Sequence, residues 1–213
     1  SLWNFFDFFK IIFGFFQSLF LLWHEKPSLL ITAGGFVSVP LHFAAFALGI
    51  PAWAHQQDSL AGLANKIMSR TAKKITTALR ESEKDFPEDK TEWIGNPVRD
   101  LSVTNIDESL KKFDIPDGAP VILAMGGGTG SANINKLVIE ALSAWPRDYH
   151  VIHLVGKERP SESQENAVKV FPNYHFYRFL KEEIKDAYAI ADVVISRAGF
   201  ATITELASLG KPA

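Results

Sequence analysis

Two glycine-bearing stretches carry the residue types that a phosphorylated ligand needs. Gly126-Gly127-Gly128-Thr129-Gly130 follows the apolar run Val121–Met125 and opens an amphipathic segment at Ser131. Glycines at a strand-to-helix turn leave backbone N–H groups bare, and the positive end of the helix faces the same way, which suits a phosphate. No Lys-Ser/Thr pair follows Gly130, where Ser131 and Ala132 stand, so this is not a P-loop. A tight turn that merely packs helix on sheet would use the same glycines, and the loop alone does not separate the two readings. The second stretch, Ser196-Arg197-Ala198-Gly199, repeats the design ahead of a helix from Phe200. Thr202, Thr204 and Glu205 fall on its first turns, where hydroxyls can contact phosphate and a carboxylate can accept two hydrogen bonds from ribose. Glu205 equally suits a helix N-terminus as a favourable charge and nothing more.

The first half holds three more polar or glycine-rich loops: Gly34-Gly35-Phe36, His55-Gln56-Gln57-Asp58 and Asn96-Pro97-Val98-Arg99. Each is expected just after a strand. No His or carboxylate cluster has metal spacing and no Gly-x-Ser-x-Gly elbow occurs, so metallohydrolase and serine-hydrolase readings lack a basis.

The elements that must position these loops alternate along the chain. Strands are expected at 28–35, 50–56, 73–79 and 91–97, with helices at 39–49 and 60–72 and a short one at 81–86. After a polar stretch, a helix at 105–113 and a turn at 114–120, the same grammar restarts. Strands at 121–125, 149–156, 174–180 and 192–199 alternate with helices at 131–145, to about Val170, at 181–191 and at 200–210. Strands joined through helices need crossover connections, hence parallel sheets covered on both faces, with ligand sites beyond the carboxyl ends of the strands. This predicts two Rossmann-like domains, 1–98 and 99–213, in the α/β class.

Composition supports a folded chain. Of 213 residues 47% are hydrophobic and 22% charged, which excludes a disordered tail, and a net charge of -2 provides no long-range field for nucleic acid. The absence of cysteine removes disulfides, thiolate nucleophiles and Cys-ligated metals. The aromatics are uneven: eight of the 17 Phe and two of the five Trp lie in residues 1–23. That run carries Asp7 and Lys10, which weigh against a membrane span. A helix packed on its domain, an interfacial docking helix and a span are the three readings, in that order. Lys66, Arg70, Lys73, Lys74 and Arg80 form a run free of acidic residues; it is either a solvated face or a patch for anionic lipid. The chain opens inside an apolar run and stops at Lys211-Pro212-Ala213, so it reads as a segment of a longer protein.

Taken together, KPSLLITAGGFVSVP, GIPAWAHQQDSLAGLANKIMSRTAKKI, GNPVR, VILAMGGGTGSANIN and ADVVISRAGFATITELASLGKPA resemble the bacterial peptidoglycan glycosyltransferases of the MurG family, from about residue 26 to the end. The resemblance implies a GT-B fold, in which two Rossmann-like domains face a cleft. It also implies inverting transfer of N-acetylglucosamine from UDP-N-acetylglucosamine (UDP-GlcNAc) to undecaprenyl-pyrophosphoryl-MurNAc-pentapeptide. By the same resemblance Gly127, Gly128, Thr129, Gly130, Phe200, Ala201, Thr202, Ile203, Thr204 and Glu205 hold the donor, with Glu205 on the ribose and Leu180 by the uracil. Asp58 and Arg99 match further donor-binding positions, and Gly34, Gly35, Phe36 and His55 lie on the acceptor side. The family uses no cofactor and no obligatory metal. It works as a peripheral protein on the cytoplasmic face of the plasma membrane, against an anionic surface.

The departures from the family pattern concern three loops. His55-Gln56-Gln57-Asp58 stands for the usual His-Glu-Gln-Asn, Gly128-Thr129 for Ser-Gln, and Phe36 and Val39 fall within a usual Gly-Tyr-Val-Ser-Gly-Pro. Asp58 accepts but does not donate hydrogen bonds at neutral pH and would oppose a nearby diphosphate. The family's glycine-rich loop with its candidate basic His would precede residue 1, so no catalytic residue is assigned within 1–213, and the segment is expected to be inactive alone. The alternatives are a related transferase with another nucleotide sugar or lipid acceptor, and a catalytically silent nucleotide-sugar-binding membrane scaffold.

Overall fold

The computed structural model describes residues 2–157 and 162–213. They form two compact units, Ser1–Pro97 and Val98–Ala213.

The first unit begins with helix α1 (Leu2–Glu25). Phe15, Leu19 and Leu22, spaced one helical face apart, point at Ala44 and Ala45, and the helix stops at Lys26, whose φ is 48°. Four parallel strands follow in sequential order: β1 (Leu30–Thr32), β2 (Ala52–Gln56), β3 (Lys74–Thr77) and β4 (Thr91–Trp93). Helices α2 (Ser38–Ala47) and α3 (Leu63–Met68) make the first two crossovers. The core is built largely from small residues, with Ala54, Ala72 and Ile75 sealed by Phe86.

Several elements are shorter than expected. The helix expected at 60–72 shrinks to α3 because Gly62 precedes it and the hydroxyls of Ser69 and Thr71 bond back to the carbonyls of Lys66 and Met68, ending the helix. The segment 81–86 is a 3₁₀ turn (Arg80–Asp85) rather than an α-helix. Strand β4 ends at Trp93, since Gly95 turns the chain with φ 79°.

The second unit is larger in core and more regular. Helix α4 (Ile106–Lys112) starts at Asn105, whose side chain accepts from the Glu108 N–H while Glu108 accepts from the Asn105 amide, a reciprocal cap. Then come β5 (Val121–Met125), α5 (Ala132–Ala141), β6 (His150–Leu154), α6 (Glu162–Val170), β7 (Tyr174–Tyr177), α7 (Ile184–Ile190), β8 (Val193–Ser196) and α8 (Phe200–Leu209). Residues 158–161, where the polar helix to Val170 was expected to begin, lie outside the described residues. All four strands are parallel, in the order β7-β6-β5-β8. β5 is buried throughout. Val121, Leu123 and Met125 face the α4 and α7 layer, and Ile122 and Ala124 face Ile134 and Val138 of α5. Alternate residues of one strand thus feed two cores, which only a sheet covered on both sides requires.

Candidate functional site

Strand order locates the site. From β5 the chain moves outward through β6 to β7, then returns to place β8 on the other side of β5. The direction of winding reverses between β5 and β8, and the crevice at such a reversal is where parallel α/β sheets take ligands. The two loops singled out from sequence are the ones that follow these two strands.

The glycine loop is tightly built. A Cβ on Gly126 would overlap the start of α5 at Ser131, and one on Gly130, at φ 75°, would overlap the Val155 carbonyl at the end of β6. Gly156 is pressed as closely, since its Cβ would lie 2.6 Å from the Thr129 oxygen. Gly128 is different: a Cβ there meets nothing within 4 Å, so the backbone does not demand glycine at that point of departure from the family pattern. Ser131 caps α5 by accepting from the Ile134 N–H at 3.4 Å.

On the other side of the crevice, Gly199 precedes α8 with no side-chain cap, leaving the first N–H groups of the helix for solvent or a ligand. Arg197 Nη2 would lie 3.1 Å from a Cβ on Gly127, so its guanidinium covers the glycine loop. Gly127, Arg197, Ala198, Gly199 and Thr202 line a recess of about 380 Å³. One glycine of the first loop, the start of α8 and the Arg197 guanidinium therefore line one volume, an arrangement whose donors and positive charge suit a phosphate. Among the described residues no group of three or more His, Asp or Glu is placed to hold a metal ion.

Glu205 lies one turn into α8 with its side chain 16% exposed. Its Oε1 accepts from Arg99 Nε at 2.8 Å and its Oε2 from the Tyr188 hydroxyl at 3.0 Å. Burial, together with the Glu205 charge, pushes the Tyr188 phenol above its usual range and keeps it a donor. Arg99 and Glu205, 106 residues apart in sequence, are thus joined. Thr202 lines the recess, whereas Thr204 turns its hydroxyl back onto the Phe200 and Ala201 carbonyls, so the donor expected to meet phosphate is used inside the helix. Phe200 is half-buried, while Ala201 and Ile203 are exposed. The strand expected at 174–180 ends at Tyr177, and Leu180 sits in the turn beyond it, packed on the core.

In the first unit His55 lies within the strand expected at 50–56 rather than in the loop that follows it. It belongs to β2, is buried, and its Nδ1 pairs with Thr76 Oγ1 at 2.9 Å. Strand pairing accounts for this: His55 sits directly beside Thr76 in the parallel register. Gln56 extends its amide to the Asp58 and Leu60 carbonyls and shapes the loop that leaves Asp58 exposed. Asn65 joins the two loops, donating to Gln56 Oε1 at 2.6 Å while packing under Gly34, where a Cβ would lie 3.1 Å from its amide. Gly34 and Gly35 both have positive φ, and Phe36 is 82% exposed. The basic run is partly neutralised, since Lys66 pairs with Asp85 at 3.9 Å and Lys74 with Glu92.

Sequence reasoning gave no role to Tyr188, Arg197 or Asn65. Arg197 stood in a motif already singled out; Tyr188 and Asn65 lie inside helical segments and carry no local signal.

The chain also resembles known proteins in sequence and in fold. Residues 121–213 match the glycosyltransferase family 28 C-terminal domain and residues 1–77 the family 28 N-terminal domain. A Staphylococcus aureus (strain bovine RF122 / ET3-1) protein named UDP-N-acetylglucosamine--N-acetylmuramyl-(pentapeptide) pyrophosphoryl-undecaprenol N-acetylglucosamine transferase is 41% identical over the whole chain. One of the same name from Lachnospira eligens is 38% identical. The chain spans 58% and 59% of their lengths. The crystal structure of Acinetobacter baumannii MurG matches with a TM-score of 0.69 at 27% identity, covering 95% of this chain and 56% of that one. UDP-GlcNAc 2-epimerase from Neisseria meningitidis, solved bound to UDP-GlcNAc, matches at 0.65 and 18% identity over 95% of this chain and 62% of that one, a likeness of fold alone.

Proposed function

The chain belongs to glycosyltransferase family 28 and has its GT-B class of parallel-sheet units, and from that premise we propose that its second unit binds UDP-GlcNAc for inverting transfer of the sugar to a lipid-linked muramyl-pentapeptide. The observation that carries the reading is the meeting of Gly127 of the glycine loop, Arg197 and the start of α8 around one recess at the β5/β8 reversal.

In the reaction the acceptor hydroxyl oxygen attacks the anomeric carbon, the bond to the β-phosphate oxygen breaks, and UDP leaves with the electron pair. The hydroxyl proton passes to a base. Negative charge grows on the departing diphosphate, and the groups that meet it are the bare N–H donors of the two loops and the Arg197 guanidinium, already aimed before the bond breaks. Glu205, held by Tyr188 through Oε2, offers its remaining lone pairs to the ribose hydroxyls, for which Arg99 is the resident occupant. Gly34, Gly35, Phe36 and His55 are assigned to the acceptor side, and Leu180 to the donor, by the family resemblance.

The same reading makes the protein peripheral on an anionic membrane surface. Among the described residues no helix is long and apolar enough to cross a membrane, yet Phe13, Phe16, Phe20 and Trp23 of α1 are each more than 60% exposed. Rings on one flank of a helix anchored by the other suit the bilayer interface. Calorimetric titration with UDP tests the donor reading: 1:1 binding in competition with UDP-GlcNAc is expected, and no binding of either would sink it.

A further inference from the structure

A chain of buried hydrogen bonds runs from the outer part of the second sheet to the glycine loop, and neither Tyr174, His153 nor Asn135 has a part in the chemistry above. The Tyr174 hydroxyl meets His153 Nδ1 at 2.7 Å, His153 Nε2 meets Asn135 Oδ1 at 3.1 Å, and Asn135 Nδ2 donates to the Val155 carbonyl at 3.0 Å. All three side chains are at least nine-tenths buried.

The direction of the chain follows from its last link. A carbonyl only accepts, so Asn135 must present its NH₂ to Val155 and its oxygen to His153. That oxygen requires a proton on Nε2. Burial lowers the His153 pKa to about 4, so the ring is neutral at physiological pH with a single N–H, and Nδ1 is left to accept from Tyr174. Each of the three links therefore has a fixed donor and acceptor, and each ring nitrogen one role. A buried network satisfied in this way has one geometry, because any rearrangement leaves a group unpaired in the core.

The far end of the network is the wall of the phosphate loop. The Val155 oxygen that Asn135 holds is the atom a Cβ on Gly130 would overlap, and the next residue, Gly156, packs against the Thr129 oxygen. Asn135 itself is one turn into α5, whose first residue follows the loop, and its own N–H bonds the Ser131 carbonyl at 2.9 Å. One side chain thus ties the helix that ends the loop to the strand on which the loop rests.

We propose that the Tyr174–His153–Asn135 network is a positioning device for the glycine loop, with Asn135 the positioning residue that fixes where the loop's N–H groups meet the diphosphate. The ligand part of this inference rests on the nucleotide-sugar reading; the mechanical part does not. Loosening the tie should weaken contacts to phosphate while leaving those to the nucleoside alone.

The test uses the full chain with Asn135→Ala and, as a variant that keeps the ring packing, Tyr174→Phe. Calorimetry with UDP and ligand-observed NMR with uridine give the preference for the diphosphate. About a tenfold loss for UDP and less than twofold for uridine is expected in Asn135→Ala, with a smaller loss of the same pattern in Tyr174→Phe. A merely structural role would reduce both ligands in proportion. Amide hydrogen exchange on the nucleotide-free protein supplies the second readout: exchange should quicken at 126–131 and 155–156 and stay unchanged at 121–125. Folded variants that keep both the wild-type preference and the wild-type exchange at 126–131 would overturn the proposal. If the unsubstituted chain binds neither ligand, the nucleotide-sugar reading fails, and the exchange result alone decides the mechanical part.

Discussion

Glu205→Ala should cost the protein stability as well as nucleotide affinity, and the two losses are separable. In the folded chain the carboxylate takes Arg99 Nε at 2.8 Å and the Tyr188 hydroxyl at 3.0 Å. Tyr188 is fully buried, and among the described residues its other partner is Met125 Sδ at 3.3 Å, a weak acceptor. Truncating Glu205 strands that hydroxyl in the core, a penalty of about 1–3 kcal/mol. Arg99 is 54% exposed and returns to water, adding at most about 1 kcal/mol. Tyr188→Phe removes the hydroxyl, so in that background Glu205→Ala should cost under about 1 kcal/mol. Urea unfolding of the four proteins would then give a coupling energy of about 1–3 kcal/mol, because the Arg99 term is common to both backgrounds and cancels. Affinity behaves differently: UDP binding should fall about tenfold or more in Glu205→Ala, through loss of the ribose acceptor, and stay close to wild type in Tyr188→Phe. Additive stability losses would refute the reasoning about Tyr188, and unchanged UDP affinity in Glu205→Ala would reduce the carboxylate to an intramolecular role.

Acid should destabilise the second unit through His153. Its pKa falls from 6.5 to about 4 on burial, so the unfolded chain binds the extra proton first. The stability is whole above pH 6.5 and is lost as pH falls toward 4, by about 3 kcal/mol at roughly 1.4 kcal/mol per pH unit; unfolding of His153→Gln should lack this slope. Gly130→Ala, at positive φ and against the Val155 carbonyl, should cost well over about 2 kcal/mol, whereas Gly128→Ser should cost under about 0.5 kcal/mol, and denaturant midpoints that ranked the two equally would contradict the loop geometry. Replacing Phe13, Phe16, Phe20 and Trp23 together by Ser should abolish flotation with anionic liposomes while leaving the thermal midpoint within a few degrees, and equal flotation would count against membrane docking.

Much of the second unit was readable residue by residue. β5 and β6 each form a continuous apolar or buried run, and the loop after β5 carries glycines whose positive φ no other residue adopts without strain. The first unit was read less well at its edges. Its strands are three to five residues long, and short elements give periodicity little to act on. His55 shows what the fold adds: the strand expected at 50–56 includes it, but only the pairing of β2 with β3 sets its ring next to Thr76.

The order of elements, the parallel sheets, the two glycine-bearing loops and the family pattern were determined by sequence alone, because hydrophobic period, turn residues and motif spacing are local properties of a chain. Strand order was not local. Only the folded sheet put β8 beside β5, bringing Arg197 over Gly127, joining Arg99 to Glu205, and setting Tyr188 and Asn135 beneath the site. These contacts link residues 20 to 106 positions apart or rely on buried partners, and such pairings follow from packing in three dimensions rather than from any pattern along the chain.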